Sequence, residues 1–232
     1  MKRVLLKLSG EALSNGKESI YDNGFVDRVA EVITDCVREG FEIALVVGAG
    51  NIWRGRQGGE MDRTDADRMG MLATVINAIC LKDALRRAGT DAVVMTAVPM
   101  APLASVYSSE AAISALESGK VVIFGAGLGI PFLSTDTTGA VRAAEIGAEA
   151  MFMAKNIDYI YTADPRKDPT AKKLTRVKAS EVLAMNLGAI DATATAFCLS
   201  GGMPIHVFGL GEPEDIIRAL RGERVGTVVT AE

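Results

Sequence analysis

The chain has 232 residues, of which 49% are hydrophobic and 23% are charged, and its formal net charge is −4. This is the composition of a globular protein that can bury a substantial core, and it lacks the basic excess of a protein that binds nucleic acid or a membrane surface. Aromatic residues make up only 5% of the chain, so we expect no aromatic platform for base stacking.

The first element is a short apolar run over 4–8 that contains one cation, Lys7, and ends at Ser9-Gly10. A run of this kind is typical of a buried strand in a parallel sheet. Lysine is rarely buried without a partner. Two interpretations remain open: Lys7 meets an anionic ligand at the carboxyl end of the strand, or its ammonium group extends along the strand to the surface.

Beyond this strand, apolar runs of strand length alternate with helical patterns. Further strands are predicted over 42–47, 91–96, 120–124, 149–154, 157–161, 204–208 and 226–230. Helices are predicted between Asp22 or Asn23 and Gly40, between Asp65 and Gly89, and over 109–116, 135–147, 177–185, 191–199 and 213–220. The alternation predicts an α/β fold with a mainly parallel sheet that helices cover on both faces. Because we find no repeat and no linker, we expect one domain over 1–232.

Apolar spacing also predicts which side of each helix enters the core. In the helix that ends at Gly40 these residues are Phe25, Val29, Val32, Ile33 and Cys36. In the helix that ends at Gly89 they are Met69, Leu72, Ala73, Ile76 and Cys80. His206 lies within an apolar strand pattern and Trp53 follows a glycine turn, so we expect structural roles for both.

The cysteines Cys36, Cys80 and Cys198 are odd in number and far apart. Their apolar surroundings predict buried free thiols in a reducing compartment. With a single histidine in the chain, a Cys/His zinc site is not expected. The first strand begins near the N-terminus and no apolar run is as long as a membrane span, so we expect no signal peptide, no membrane association and a cytoplasmic protein.

Glycine-rich segments follow three of the predicted strands: Ser9-Gly10, Gly48-Ala49-Gly50 and 125–129. In a parallel sheet all three would lie at one edge, where glycine turns and helix N-termini present N–H groups to phosphate. The sequence contains no P-loop motif. Ile130 stands where a dinucleotide fingerprint requires its third glycine, so neither of these phosphate-binding folds is predicted.

Charged residues near these turns allow two interpretations each. Arg54, Arg56, Arg63 and Arg68 could clamp a phosphoryl group or form a solvated loop, and Arg54 stands closest to the glycine turn. Asp67 could stabilise a helix start or contact a sugar hydroxyl. Asp136 could cap the helix that follows Ser134-Thr135, with Thr135 as the competing cap, or orient a lysine or a metal ion at a reaction centre.

Four segments resemble the bacterial uridylate kinases of the amino-acid-kinase superfamily, in matching order and spacing over nearly the whole chain. They are Lys7-Leu8-Ser9-Gly10-Glu11, Gly48-Ala49-Gly50-Asn51-Ile52-Trp53-Arg54-Gly55, Met69-Gly70-Met71-Leu72-Ala73-Thr74 and Thr162-Ala163-Asp164-Pro165. The resemblance implies a three-layer α/β/α sandwich, a homohexamer, ATP with Mg²⁺ as phosphoryl donor and UMP as acceptor. It also implies an acceptor part over about 1–150 and an ATP nucleoside part over about 151–232.

The resemblance assigns roles position by position. It places Lys7, Leu8, Ser9, Gly10, Gly50 and Arg54 at ATP and its transferring phosphate, and Asn156, Tyr161 and Asp164 at the adenine nucleoside. It places Ala49, Asp67, Leu128, Gly129, Ile130, Pro131, Phe132, Leu133, Ser134 and Thr135 at UMP. The implied catalytic residues are Lys7, Arg54, Asp136 and Asp191, with no dedicated metal ligands.

The sequence departs from the family pattern at several positions. Leu128 and Ile130 stand where the family has Thr and Asn in the loop that reads uracil, which suggests an altered base preference. Glycines are fewer over 16–20, which leaves GTP activation open, and the stretch 155–157 is one residue short of some relatives. Two other functions remain open: a superfamily kinase with a carboxylate or carbamate acceptor, and a non-catalytic nucleotide binder.

Overall fold

The computed structural model describes residues 2–53 and 59–231. Within them, nine strands form one sheet in the order β4-β3-β5-β2-β1-β6-β10-β11-β9, and β7 and β8 form a separate pair. These strands are β1 (Arg3–Leu8), β2 (Glu42–Val47), β3 (Ala92–Thr96), β4 (Ser105–Val106), β5 (Val121–Gly125), β6 (Ala150–Lys155), β7 (Ile160–Tyr161), β8 (Lys173–Leu174), β9 (Arg176–Lys178), β10 (Ile205–Gly209) and β11 (Thr227–Thr230). The large sheet is parallel except between β10 and β11, so the predicted fold class is confirmed.

Helices cover both faces of the sheet and create two apolar cores. The helices are α1 (Asn23–Arg38), α2 (Arg63–Ala88), α3 (Ser109–Glu117), α4 (Thr135–Glu145), α5 (Ala179–Ala184), α6 (Ala192–Gly201) and α7 (Asp215–Leu220), and a 3₁₀ helix spans Gly10–Ser14. One core lies between the sheet and α1, α2 and α7, and the other lies between the sheet and α3 to α6. Alternation along β1 sends Leu6 and Leu8 into the first core and Leu5 into the second.

The predicted core face of α2 is wrong in part. Met69, Leu72 and Ile76 are exposed, Leu72 by 53% and Ile76 by 51%. The side of α2 that meets the sheet instead carries small or slender residues, among them Ala73, Thr74, Val75, Asn77 and Ala78. The approach is close, because a Cβ added at Gly125 of β5 would lie 3.1 Å from a Val75 methyl. Large side chains would not fit at this point of contact with β5, and Leu72 and Ile76 lie on the opposite side of the helix.

Two predicted boundaries in the second half of the chain are also wrong. Residues 177 and 178 were expected at the start of a helix, but they belong to β9, because they pair with β11 at the edge of the sheet. Of the predicted strand 157–161, only Ile160–Tyr161 is extended, and it pairs with Lys173–Leu174 outside the main sheet. Long-range pairing decided both, and local apolar patterns do not report it.

The remaining structural expectations can be placed directly. The cysteines are free thiols; Cys36 and Cys198 are buried, while Cys80 is only half-buried. The His206 ring stacks on Phe152 with centroids 4.5 Å apart, and burial lowers the pKa of this histidine. Trp53 Nε1 donates to the Ala66 carbonyl at 2.8 Å, which ties the glycine turn to α2. Throughout the described residues, no helix combines the length and apolar character of a membrane span.

Candidate active site

The glycine-rich turns predicted to share one edge do meet there. Strands β5, β2, β1 and β6 are neighbours, so their carboxyl ends lie side by side. A Cβ at Gly10 would lie 2.2 Å from the Gly48 carbonyl oxygen, and one at Gly50 would lie 2.7 Å from Glu11 Cγ. The turns after β1 and β2 are thus in backbone contact, and only glycine permits this. Thr135 Oγ1, at the start of α4, lies 3.7 Å from the corresponding point on Gly48.

Lys7 is buried at this edge and forms an ion pair with Asp136. It points to the same side of β1 as Leu5, toward α4, and its Nζ lies 2.8 Å from Asp136 Oδ1. The other oxygen of that carboxylate, Oδ2, lies 2.8 Å from the ammonium group of Lys155, the last residue of β6. One carboxylate therefore bridges two lysines from adjacent strands, and we call Lys7, Asp136 and Lys155 the lysine–aspartate triad.

Electrostatics keep the Asp136 carboxyl ionised. Burial by itself would raise its pKa, but Lys7 and Lys155 outweigh that effect and hold the pKa below the ordinary value of 3.8. Burial lowers the pKa of Lys155 below 10.5, although the charge of Asp136 opposes the shift. With two cations and one anion, the triad carries a formal positive charge at neutral pH, which suits an anionic ligand.

The helix caps near the triad differ from those expected. The N-cap of α4 is Ser134, whose hydroxyl accepts from the Asp136 N–H at 3.0 Å and the Thr137 N–H at 3.1 Å. Neither Thr135 nor Asp136 is the cap. Asp136 instead faces the two lysines, in line with the alternative interpretation that it orients a lysine. Asp191 caps α6 by accepting from the Ala194 N–H at 2.7 Å, and it also accepts hydrogen bonds from the Ser134 and Thr137 hydroxyls.

A polar network on α2 fixes the turn after β2. Asn77 is fully buried and donates to the Gly48 carbonyl at 2.7 Å and to Asn51 Oδ1 at 2.8 Å. Tyr21 and Asn51 in turn donate to Asn77 Oδ1. We did not predict Asn77, although an asparagine among the apolar residues of α2 was the available signal. Lys155 was missed as a site residue too, although it directly follows an apolar run, 150–154, of strand length.

The predicted UMP residues gather in part around a cavity of about 120 Å³ between α2 and the loop after β5. Its lining includes Ala49, Asp67, Ile130, Pro131, Leu133 and Thr135, together with Thr74 and Thr138. Asp67 accepts from the Phe132 N–H at 2.9 Å and pairs with Arg63, whereas the N-cap of α2 is Asp62. Leu128, Gly129, Phe132 and Ser134 belong to the same loop but do not line this cavity.

Of the predicted ATP residues that the structure describes, only Gly50 and Asn156 line a groove of about 670 Å³ beside the carboxyl ends of β1, β6 and β10. Lys155 lines it too, together with Glu11 and residues 209–211. The Tyr161 hydroxyl donates at 2.9 Å to Asp158, which also lines the groove. Asp164 accepts from the Arg166 N–H in a neighbouring loop. Ser9 donates its N–H to the Ala154 carbonyl, and Leu8 is buried in the core.

One predicted site residue cannot be placed in the structure. Arg54, together with Arg56, lies outside the described residues. Within 2–53 and 59–231, no group of three or more His, Cys, Asp or Glu side chains could hold a metal ion.

Comparison with known proteins identifies the family and the fold. Residues 2–209 match the model of the amino acid kinase family. The uridylate kinase of Mycobacterium sp. strain KMS is 49% identical over 230 residues, which cover 98% of this chain and 91% of that protein. The UMP kinase structure from Bacillus anthracis has a TM-score of 0.95 at 34% identity and covers 100% of this chain and 96% of its own. The structure from Ureaplasma parvum has a TM-score of 0.93 at 34% identity, over 99% and 98% of the two chains.

The chain belongs to the amino acid kinase family, and its fold matches that of a solved UMP kinase over its whole length. It is an α/β phosphotransferase. Within the family, its full-length relatives are uridylate kinases, and the chain is a member of that group.

Proposed function

We propose that this protein transfers the γ-phosphoryl group of ATP to UMP and releases ADP and UDP, with both phosphate chains meeting at the edge where β1, β2 and β6 end. The observation that carries the proposal is the buried ammonium group of Lys7, 2.8 Å from Asp136 and beside the contacting glycine turns. The uridylate kinase relatives at 49% identity support UMP as the acceptor.

The chemistry needs positioning more than proton removal. A UMP phosphate oxygen is already anionic near neutral pH, so no strong general base is required. The main barrier is repulsion between two polyanions and the charge on the transferring group, which fixed cations and N–H donors offset. In this proposal Lys7 and Arg54 contact the transferring phosphoryl group, while the turns at Gly10 and Gly50 contribute backbone N–H groups. Asp136 orients Lys7, and Asp191 holds the start of α4 in place.

Magnesium fits this site as a partner of ATP rather than as a resident ion. In the described residues the site carboxylates already have partners, because Asp136 pairs with two lysines and Asp191 caps α6. When bound with ATP, Mg²⁺ would neutralise phosphate charge. We propose that the phosphates supply its main ligands and that no protein cage is needed.

The two cavities offer one place for each substrate, and both parts of the chain line the larger one. We assign the 670 Å³ groove to ATP and the 120 Å³ cavity near Asp67 to UMP. The first part, about 1–150, would hold the acceptor. The second, about 151–232, would supply Asn156, Tyr161 and Asp164 to the nucleoside. Such an enzyme would act in pyrimidine nucleotide biosynthesis in the cytoplasm, where free thiols remain reduced.

We expect this protein to discriminate less strictly between bases than an enzyme with hydrogen-bonding side chains in this loop. The side chains of Leu128 and Ile130 cannot form hydrogen bonds with uracil. ADP release measured with a panel of UMP, CMP, dUMP and small carboxylic acids tests this. We expect turnover with UMP and measurable turnover with CMP or dUMP, and Ile130→Asn should increase the preference for UMP. Strict UMP selectivity in the parent chain would contradict the base hypothesis. Turnover of an acid without any nucleotide turnover would contradict the proposed function.

A homohexamer is proposed on the basis of the family resemblance and of an exposed seam on α2. Spacings of three, four and three residues align the members of this α2 seam, as in helix pairs that pack along a narrow stripe. The α2 seam consists of Met69, Leu72, Ile76 and Ile79, which are 39–53% exposed. A seam on one helix can pair with its own copy about a two-fold axis, and a hexamer can be built from three such pairs.

Light scattering after size-exclusion chromatography tests the assembly. Leu72→Glu places a charge in the middle of the α2 seam and is expected to reduce the molar mass from six chains to fewer. Met185→Glu is the matched control, because Met185 is 51% exposed just after α5, on the opposite face of the sheet from α2. A Leu72→Glu protein with the mass of the parent would contradict this interface.

A further inference from the structure

Lys155 is the member of the lysine–aspartate triad that has no role in the contacts proposed for phosphoryl transfer. Its ammonium group is held on two sides, by Asp136 Oδ2 at 2.8 Å and by the Ala189 carbonyl oxygen. Its side chain is only 19% exposed, and Lys155 also lines the groove assigned to ATP. A buried lysine with a lowered pKa is costly to maintain, and packing alone would be served by an apolar residue.

The charges around Asp136 indicate what this lysine does. In the described part of the chain, Asp136 is the side chain that pairs with the Lys7 ammonium group. Without Lys155, that pair would be formally neutral and would present no net attraction to a phosphate. The free carboxylate oxygen would also repel the incoming anions. With Lys155 bound to that oxygen, the triad retains one net positive charge.

We propose that Lys155 is a positioning residue for phosphoryl transfer: by holding and neutralising Asp136 from the side opposite Lys7, it leaves the charge of Lys7 available to the transferring group. The inference deepens the proposed function and rests on it. Lys155 comes from β6 and Lys7 from β1, which are adjacent parallel strands, so the two ammonium groups are held in fixed register on either side of one carboxylate.

Three variants test this, with kcat and KM measured for ATP and UMP. Lys155→Met keeps the length of the side chain and removes its charge; we expect kcat to fall on the order of 10-fold to 100-fold, less than the loss of a donor that contacts the developing charge. Lys155→Arg keeps the charge and is expected to retain more activity. The double variant Lys155→Met with Asp136→Asn restores one net positive charge on Lys7 and is expected to exceed Lys155→Met alone.

A pH profile gives a readout that a purely structural lysine would not affect. The charged groups facing Lys155 are Lys7 on β1, Asp136 on α4 and Asp191 at the start of α6. Since burial lowers the pKa of Lys155, activity should fall on the alkaline side at a pH below the ordinary lysine value, as its proton is lost. Arginine stays charged throughout this range, so in Lys155→Arg this alkaline limb should move to higher pH.

Lys120→Met is the matched control, because Lys120 is exposed at the opposite edge of the sheet, just before β5. If Lys155→Met is within twofold of this control, or if the double variant is no better than Lys155→Met, the inference is wrong. An alkaline limb that does not move in Lys155→Arg would also overturn the inference. If Lys155→Met does not fold, this pH profile by itself decides whether the inference holds. If instead the parent chain shows no UMP-dependent turnover, it is the proposed function that fails.

Discussion

Lys7→Met is expected to reduce kcat by about 100-fold or more while the protein remains folded. The size of the effect follows from removing a preorganised charge at the point where negative charge develops, and single groups of this kind are typically worth about 100-fold to 1,000-fold. The fold should persist for two reasons. Met retains the apolar stem in the buried strand, and Asp136 keeps Lys155 as a partner at 2.8 Å, so no unpaired carboxylate is left buried.

Steady-state kinetics with saturating ATP and UMP measure this loss, and thermal unfolding shows whether the fold is intact. Lys120→Met again serves as the matched control, since it removes the same charge from an exposed position at the far edge of the sheet. A folded Lys7→Met protein with near-normal kcat would remove Lys7 from the catalytic residues.

Gly10→Ala is expected to have the second large effect, because the site leaves no space for a methyl group. The added Cβ would lie 2.2 Å from the Gly48 carbonyl oxygen and 2.8 Å from Asn51 Oδ1. The Gly48 oxygen is backbone and is held by Asn77, so the turns after β1 and β2 must separate. Overpacking of this kind costs roughly 1–3 kcal/mol of stability, and a misplacement of about 1 Å at a reaction centre can cost about 100-fold in rate.

Denaturant unfolding together with kcat tests this second expectation. Gly201→Ala is the matched control, because Gly201 lies at the end of α6 with open space around its Cβ position. We expect that control to differ little from the parent in either measurement. A Gly10→Ala protein as stable and as active as Gly201→Ala would show that contact between the two turns is not needed.

Local sequence patterns were sufficient to predict features of the fold and the site that depend on a single strand or turn. The cation in the apolar run 4–8 left two interpretations of Lys7 open, an anionic ligand or extension to the surface, while the glycines after three strands predicted a shared edge. The partner within the fold is Asp136, which the sequence offered as one of two interpretations. The choice between them depended on Ser134 taking the capping position, and Ser134 is held there by Asp191 from a distant segment.

The features that were missed depend on long-range packing. Lys155 ends β6 and meets Asp136 only because β6 pairs with β1. The apolar residues of α2 surround the helix, so spacing alone could not show that Ala73 would face the sheet while Leu72 would face outward. Strand β9 exists because β11 lies beside it. In each case the deciding neighbour is far away in the sequence.

The most direct test of the account is to follow the phosphorus atoms by ³¹P NMR in a mixture of the protein, ATP, Mg²⁺ and UMP. We expect equal amounts of ADP and UDP, formed only when UMP is present and at least about 100-fold more slowly with Lys7→Met. Release of inorganic phosphate without UDP, or no change in ATP at all, would contradict it.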